Sequence, residues 1–301
     1  MARILVIKLG ALGDVIQATG PFAAIRAAHA HDHIVLLTTR PFAALAEASP
    51  YFDQVWIDQR PKAWQPLRLL ALRRRLRGGG FERVYDLQTS DRSSSYFRLM
   101  GGRVEWSGIA RGCSHPHANP GRDAMHTLER QAEQLAMAGI AATPPPDLSW
   151  AEADLAGLQL PPRVCLLVPG GAPHRPAKRW PAERYGALAN RLVAAGLAPV
   201  VIGTEADRDQ IGALRAACPP AIDLLGRTGL VELAALARRA EAAVGNDTGP
   251  MHLIAAAGCP SVVLFSAASD PALCAPRGRV TVLRRDRLDE MPVDAVMAAL
   301  P

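Results

Sequence analysis

Short apolar runs alternate with amphipathic stretches along nearly the whole chain. The first run, Ile4-Leu5-Val6-Ile7, ends at a glycine-containing turn, and apolar residues then recur at helical spacing from 15 to about 28, with Gly20-Pro21 as a point of interruption. The pattern predicts further strands at 34–37, 55–57, 84–87 and 104–107, separated by helices at 41–48, 66–77, 92–100 and 127–138. Between 139 and 162 the alternation lapses into Pro144-Pro145-Pro146 and Pro161-Pro162, where consecutive prolines remove backbone donors and hold the chain extended. It then resumes, with strands at 164–168, 199–202, 222–225, 242–244 and 261–265 and helices at 181–195, 206–217, 230–239 and 250–257. Strand and helix in strict alternation predict parallel sheets covered by helices. The expected class is therefore α/β, with two Rossmann-like domains at 1–150 and 160–301 and a linker at about 140–162. Two such domains in tandem are expected to turn the C-terminal ends of their strands toward a central cleft.

Composition supports a folded two-domain chain: 301 residues exceed the size at which one core usually stays undivided, and 49% of them are hydrophobic. The net charge of +6 suits nucleic acid, an anionic membrane surface or an acidic ligand. Aromatics are only 5% of the chain and none interleave with the arginines of the 66–77 segment, which argues against a nucleic-acid partner. The five cysteines (Cys113, Cys165, Cys218, Cys259, Cys274) are scattered without a C-x-x-C pair, so neither a disulfide framework nor a Cys-rich zinc site is expected, and a cytoplasmic setting fits. No apolar run reaches membrane-spanning length. The 66–77 segment places five arginines among leucines at helical spacing, which reads either as a surface in peripheral contact with anionic membrane or as a solvated basic face over an ordinary core stripe.

Three motifs carry candidate chemistry. Gly10-Ala-Leu-Gly13-Asp14 falls where the first strand gives way to the first helix. Its glycines permit a tight turn, and Asp14 stands either as a general base at a strand's C-terminal edge or as a helix cap. The spacing differs from G-x-G-x-x-G, and an aspartate at that turn would repel a dinucleotide's pyrophosphate, which counts against a nicotinamide-dependent oxidoreductase. Pro169-Gly170-Gly171-Ala-Pro173-His174-Arg175-Pro-Ala-Lys178-Arg179-Trp180 joins a Gly-rich turn to a cluster of cations, an arrangement suited to a diphosphate or, more blandly, a solvated basic loop. Gly245-Asn246-Asp247-Thr248-Gly249-Pro250-Met251-His252 follows an apolar strand and opens a helix, so the Thr248 and Gly249 amides make a candidate anion site. Asp247 then caps the helix or accepts from sugar hydroxyls. Asp207-Arg-Asp209 has the D-x-D spacing of metal-dependent transferases, but reads better as acidic enrichment in a helix's first turn. Cys113-Ser-His115-Pro-His117 is too cramped for a metal site and reads as a loop with incidental histidines.

Lys8-Leu-Gly10-Ala-Leu-Gly13-Asp14, Pro169-Gly-Gly with Pro176-Ala-Lys178-Arg-Trp-Pro181, and Asn246-Asp-Thr-Gly249-Pro-Met-His252, together with His126-Thr-Leu-Glu-Arg130 and Gly203-Thr-Glu205, resemble glycosyltransferase family 9, the lipopolysaccharide heptosyltransferases. The resemblance implies a GT-B fold and inverting, metal-independent transfer from ADP-heptose to a lipid-linked saccharide of the lipopolysaccharide inner core, at the cytoplasmic face of the inner membrane and without a cofactor. It implies that Asp14 is the base, that Lys178, Thr248 and Gly249 hold the diphosphate, and that Asp247 holds the transferred sugar. Glu205 is then assigned to the ribose, Thr228 to the adenine and His252 to the pocket, with Gly13 and His174 also at substrate. The chain departs from the family at Ala172-Pro173-His174-Arg175, where members carry hydroxyl or small residues. A second possibility is another nucleotide sugar or acceptor within the family, and a third is a non-catalytic nucleotide-sugar-binding module.

Overall fold

The computed structural model describes residues 1–172 and 174–301, so the sequence expectation at Pro173 lies outside the described residues. The chain divides into two compact units, Met1–Pro146 and Asp147–Pro301.

The N-terminal unit runs β1 (Arg3–Ile7), α1 (Leu12–Gln17), α2 (Thr19–Ala28), β2 (His33–Thr38), α3 (Ala43–Ala48), β3 (Gln54–Ile57), α4 (Pro66–Gly78), β4 (Arg83–Asp86), α5 (Asp91–Met100), β5 (Glu105–Gly108), β6 (His115–Pro116) and α6 (Thr127–Met137). All its strands are parallel, in the order β3-β2-β1-β4-β5-β6. A parallel sheet covered on both faces needs apolar residues at successive positions. Ile4, Leu5, Val6 and Ile7 accordingly are all buried. The helix expected over 15–28 is two helices that break at Ala18, where Thr19 Oγ1 donates to the Ile16 carbonyl at 2.8 Å. Pro21 falls at the third position of α2, where its missing N–H removes no helical bond. The segment read as a loop with incidental histidines holds edge strand β6 at His115–Pro116, and a proline is tolerated at an edge. His117 beyond it is buried and 2.8 Å from Glu133 through Nε2, so it secures α6 rather than standing free.

The C-terminal unit repeats the plan with β7 (Val164–Val168), α7 (Ala182–Ala194), β8 (Ala198–Val201), α8 (Arg208–Ala217), β9 (Ile222–Asp223), α9 (Leu230–Arg239), β10 (Ala242–Asn246), α10 (Gly249–Ala256), β11 (Ser261–Phe265), α11 (Pro271–Cys274), β12 (Val280–Arg284) and α12 (Val293–Ala298). Its order, β12-β11-β10-β7-β8-β9, is also parallel throughout. β9 is shorter than expected because Asp223 Oδ1 accepts from the Leu225 N–H at 2.8 Å and turns the chain. β12 went unpredicted: it is an edge strand with no fully buried residue, so it lacks the continuous apolar run of the central strands. The core gathers Trp180, Tyr185, Leu188 and Leu192 against the sheet, and the Trp180 indole N–H donates to the Met291 carbonyl at 3.0 Å.

Counted within each unit, both sheets have the order 3-2-1-4-5-6. The winding reverses between the first and fourth strands, β1 and β4 in one unit and β7 and β10 in the other. Ligands of doubly wound sheets bind at the carboxyl ends of the strands at this reversal. The three sequence motifs leave the carboxyl ends of β1, β7 and β10.

Candidate functional site

In the N-terminal unit, the chain leaving β1 is fixed from three sides. The Leu9 N–H donates to Gln88 Oε1 at 2.8 Å, and the Leu9 carbonyl accepts from Thr39 Oγ1 at 3.1 Å and from the Arg60 guanidinium at 2.6 Å. Gly10 turns with φ of +127°, and a Cβ there would lie 3.0 Å from the Phe42 ring. Asp14 then sits in the first turn of α1, half-buried, with Oδ2 accepting the Ala11 N–H at 3.1 Å. It therefore does cap its helix, with one oxygen, while Gly13 beside it is also half-buried. Capping and catalysis are compatible, since a carboxylate has acceptor capacity on both oxygens.

The same sheet edge holds buried charged groups to which the sequence motifs assign no role. Lys8 is 4% exposed, and its Nζ donates to the Leu87 carbonyl at 2.9 Å; Asp86, at the end of β4, is fully buried and accepts the Gln88 and Thr89 N–H groups at 3.1 Å each. Burial pushes the Asp86 carboxyl up to about 6, against the opposing pull of the nearby Ser93 hydroxyl, the two N–H groups and the Lys8 charge. Burial likewise holds the Lys8 ammonium below its ordinary range, although Asp14 and Asp86 pull it back up and Arg130 pushes it further down. Arg130, on α6, is itself lowered by burial and feels the charge of Asp14. Lys8 and Arg130 thus both feel the charge of Asp14. Lys8 was visible as one of only three lysines, immediately ahead of the glycine turn.

In the C-terminal unit, Asn246 at the end of β10 organises the edge. Its Nδ2 donates to the Pro169 and Gly170 carbonyls at 2.8 and 3.1 Å; its Oδ1 accepts the Trp180 N–H at 3.0 Å and lies 3.1 Å from the Tyr185 hydroxyl. A fully buried amide is thereby satisfied while it ties the Gly-rich turn to the start of α7. Gly170 admits no side chain, because a Cβ would stand 2.5 Å from the Asp207 carboxylate. Asp207 accepts from the Thr204 N–H and hydroxyl at 3.0 Å each and from the Gly171 N–H at 3.4 Å. The D-x-D aspartate is therefore engaged in local turns. Among the described residues no three His, Cys, Asp or Glu side chains gather as a metal-ligand set.

Lys178 and Asp247 meet directly, Nζ to Oδ2 at 2.5 Å, with side chains 13% and 7% exposed, and Ser269 Oγ donates to the same oxygen at 2.8 Å. This modifies the sequence expectation that Lys178 and Asp247 act on separate parts of a ligand: here each is the other's partner, and the lysine's charge is locally neutralised. Thr248 is the N-terminal flanking residue of α10 and Gly249 its first residue; the Thr248 hydroxyl donates to the Asn246 carbonyl at 3.3 Å. His252 is buried within α10. Glu205 follows β8 and is exposed, paired bidentately with Arg208 at 2.5 and 2.6 Å, which holds its carboxyl below the usual range. Thr228 is half-buried in the turn before α9, and that turn is joined to the one after β8 by the Gly226 N–H to the Gly203 carbonyl at 3.0 Å. His174 is exposed. The fold thus brings Lys178, Asp247 and the residues flanking α10 into one contiguous group, and sets Glu205 and Thr228 on joined turns of the same sheet edge.

No described helix is long and apolar enough to cross a membrane. Haemophilus influenzae lipooligosaccharide heptosyltransferase 2 is 33% identical over 119 residues, which are 38% of this chain and 34% of that protein, so the match spans about a third of the curated relative's length. Among solved structures, the glycosyl transferase family 9 protein from Veillonella parvula superposes with a TM-score of 0.85 at 22% identity, covering 99% of this chain and 95% of that one. E. coli ADP-heptose lipopolysaccharide heptosyltransferase II superposes with a TM-score of 0.82 at 21% identity, covering 99% and 97%. At these identities the likeness establishes the α/β fold of two parallel six-stranded sheets. The sequence profile of glycosyltransferase family 9 (heptosyltransferase) matches residues 69–292, about three quarters of the chain, including both motifs of the C-terminal unit, with Asp14 lying before it. On that match the chain belongs to glycosyltransferase family 9.

Proposed function

We propose that the protein is an inverting glycosyltransferase that moves heptose from ADP-heptose to a lipid-linked saccharide of the lipopolysaccharide inner core, with Asp14 as general base and neither metal nor cofactor. The observation that carries the reading is the chemistry at the two points of sheet reversal. One presents a carboxylate oriented by the Ala11 N–H, and the other presents a lysine, a Gly-rich turn and the amides of a helix start. Family membership supports sugar transfer, and the name of the E. coli relative supports the donor and acceptor classes.

The acceptor hydroxyl oxygen attacks the anomeric carbon from the face opposite the diphosphate, and its proton passes to Asp14. The bond from the anomeric carbon to the diphosphate breaks, and the electron pair leaves on the β-phosphate oxygen. Charge growing there is met by Lys178 and by the N–H groups at Thr248 and Gly249, the latter standing at the start of α10. Donor arrival requires Lys178 to exchange Asp247 for the diphosphate. Asp247 keeps the Ser269 hydroxyl and turns its freed acceptor capacity to the sugar hydroxyls. Glu205 and Thr228 serve ribose and adenine, an exposed pair such as Glu205 with Arg208 being readily opened. His252 completes the pocket, and Gly13 and His174 border the substrates.

Asp14→Asn is the sharpest test of the base. The amide oxygen still accepts the Ala11 N–H, so the start of α1 stays capped. Turnover is expected to fall about 10² to 10⁴-fold, while ADP-heptose binding measured by calorimetry is retained. Unchanged turnover would remove Asp14 from the mechanism.

A further inference from the structure

Large apolar side chains are mostly hidden in this protein, and the exposed ones are concentrated in one place. Apart from the N-terminal methionine, six are well exposed among the described residues, and three of these, Trp64 at 73%, Leu67 at 81% and Leu70 at 42%, fall within seven residues of chain. Leu67 and Leu70 lie three apart on α4, on the face opposite Leu72 and Leu76, which are buried in the core. Trp64 stands just ahead of the helix, with Lys62 Nζ 4.8 Å from its ring centroid.

The surrounding charge is of one sign. Residues 60–81 contain Arg60, Lys62, Arg68, Arg73, Arg74, Arg75 and Arg77 and not one acidic residue. Three of these cations are committed inward: Arg60 to the Leu9 carbonyl, Arg75 over the Trp56 ring at 4.3 Å, and Arg77 to the Leu99 carbonyl at 2.9 Å. Arg68, Arg73 and Arg74 are exposed and make no hydrogen bond or ion pair among the described residues. A solvated basic face would carry such arginines, but it has no use for an exposed tryptophan and two exposed leucines in the same segment. A soluble polyanion would engage the charges and leave the apolar side chains in water. An anionic bilayer surface engages both, since phosphate headgroups take the guanidinium groups, the leucines enter the acyl boundary and a tryptophan settles at headgroup depth.

We propose that the 62–77 segment is a peripheral membrane-docking surface that inserts Trp64, Leu67 and Leu70 into an anionic leaflet while Arg68, Arg73 and Arg74 hold the lipid phosphates. The proposal is independent of the donor and acceptor named above, because its test uses vesicles without acceptor.

The full chain is mixed with phosphatidylcholine vesicles, with or without about one third phosphatidylglycerol, and binding is followed by co-sedimentation and tryptophan emission. Binding is expected only to the anionic vesicles, with a blue shift and with quenching by lipids brominated near the headgroup. Arg68→Gln/Arg73→Gln/Arg74→Gln is expected to weaken binding about a hundredfold, roughly fivefold for each cation near the surface. Trp64→Ser/Leu67→Ser/Leu70→Ser is expected to lose the blue shift and most of the affinity. All six positions are exposed, so both variants should melt as the wild type does and turn over a water-soluble acceptor at the wild-type rate. Absence of binding to anionic vesicles overturns the proposal, as does binding that neither variant changes. Wild-type affinity in the serine variant, with displacement by soluble heparin, would make the segment a polyanion site instead.

Discussion

At the scale of single residues, the site rests on charges placed where water cannot relieve them. Asp86 illustrates the cost. Its carboxyl is fully buried and raised to about 6, whereas an unfolded aspartate titrates near 3.9. The native state therefore binds more protons than the unfolded state between about pH 4 and 6, and this group's contribution to stability falls as pH rises through that window. The shift corresponds to roughly 3 kcal/mol, fully expressed above about pH 6. Asp86→Asn preserves the acceptor for Gln88 and Thr89 and removes the titration. Its stability relative to the wild type is expected to climb by up to that amount from pH 4 to 6, measured by urea denaturation across pH. A constant difference over the same range would mean that Asp86 is not titrating there. Lys8, buried as Asp86 is, feels the charge of both Asp86 and Asp14, the residue proposed for proton transfer.

At the scale of elements, the C-terminal edge depends on one amide. Asn246 joins β10 to the turn after β7 and to the backbone of Trp180, so the Gly170-Gly171 loop cannot shift without breaking bonds made by a fully buried side chain. Asn246→Ala leaves the Trp180 N–H and the Pro169 and Gly170 carbonyls short of partners, at about 1–3 kcal/mol for each buried group left unsatisfied. A loss of at least about 2 kcal/mol in denaturant titration, with weaker nucleotide binding, is expected; a change within about 0.5 kcal/mol, as at an ordinary surface position, would deny Asn246 this role.

What the sequence made legible follows the same division. Asp14, Lys178, Asp247 and the start of α10 were readable because each sits within one contiguous motif beside a strand end. Lys8 and Leu87 are 79 residues apart, Asn246 and Trp180 are 66 apart, and Lys178 and Asp247 are 69 apart. Parallel crossovers create these contacts, and a linear reading does not rank which distant residues they join. Ser269 carried no signal at all, since it lies in a turn after β11 without a motif around it. Central strands were read well because burial on both faces leaves an uninterrupted apolar run. β6 and β12 escaped because edges do not require one.

At the scale of the whole molecule, two units have the same strand order, each with candidate chemistry at the point where the winding reverses. That plan is shared by many proteins, so function is argued from the groups displayed and not from the sheet. The central claim is that Asp14, Lys178 and the α10 amides suffice for transfer from an ADP-sugar without a metal. The most direct measurement incubates the full chain with ADP-heptose and a delipidated inner-core acceptor in excess EDTA, and follows ADP release together with the acceptor's gain in mass. The account predicts one heptose added for each ADP released, at a rate unchanged by EDTA. ADP-heptose that binds without transfer, transfer only from a UDP- or GDP-sugar, or transfer only on adding a divalent metal would contradict it.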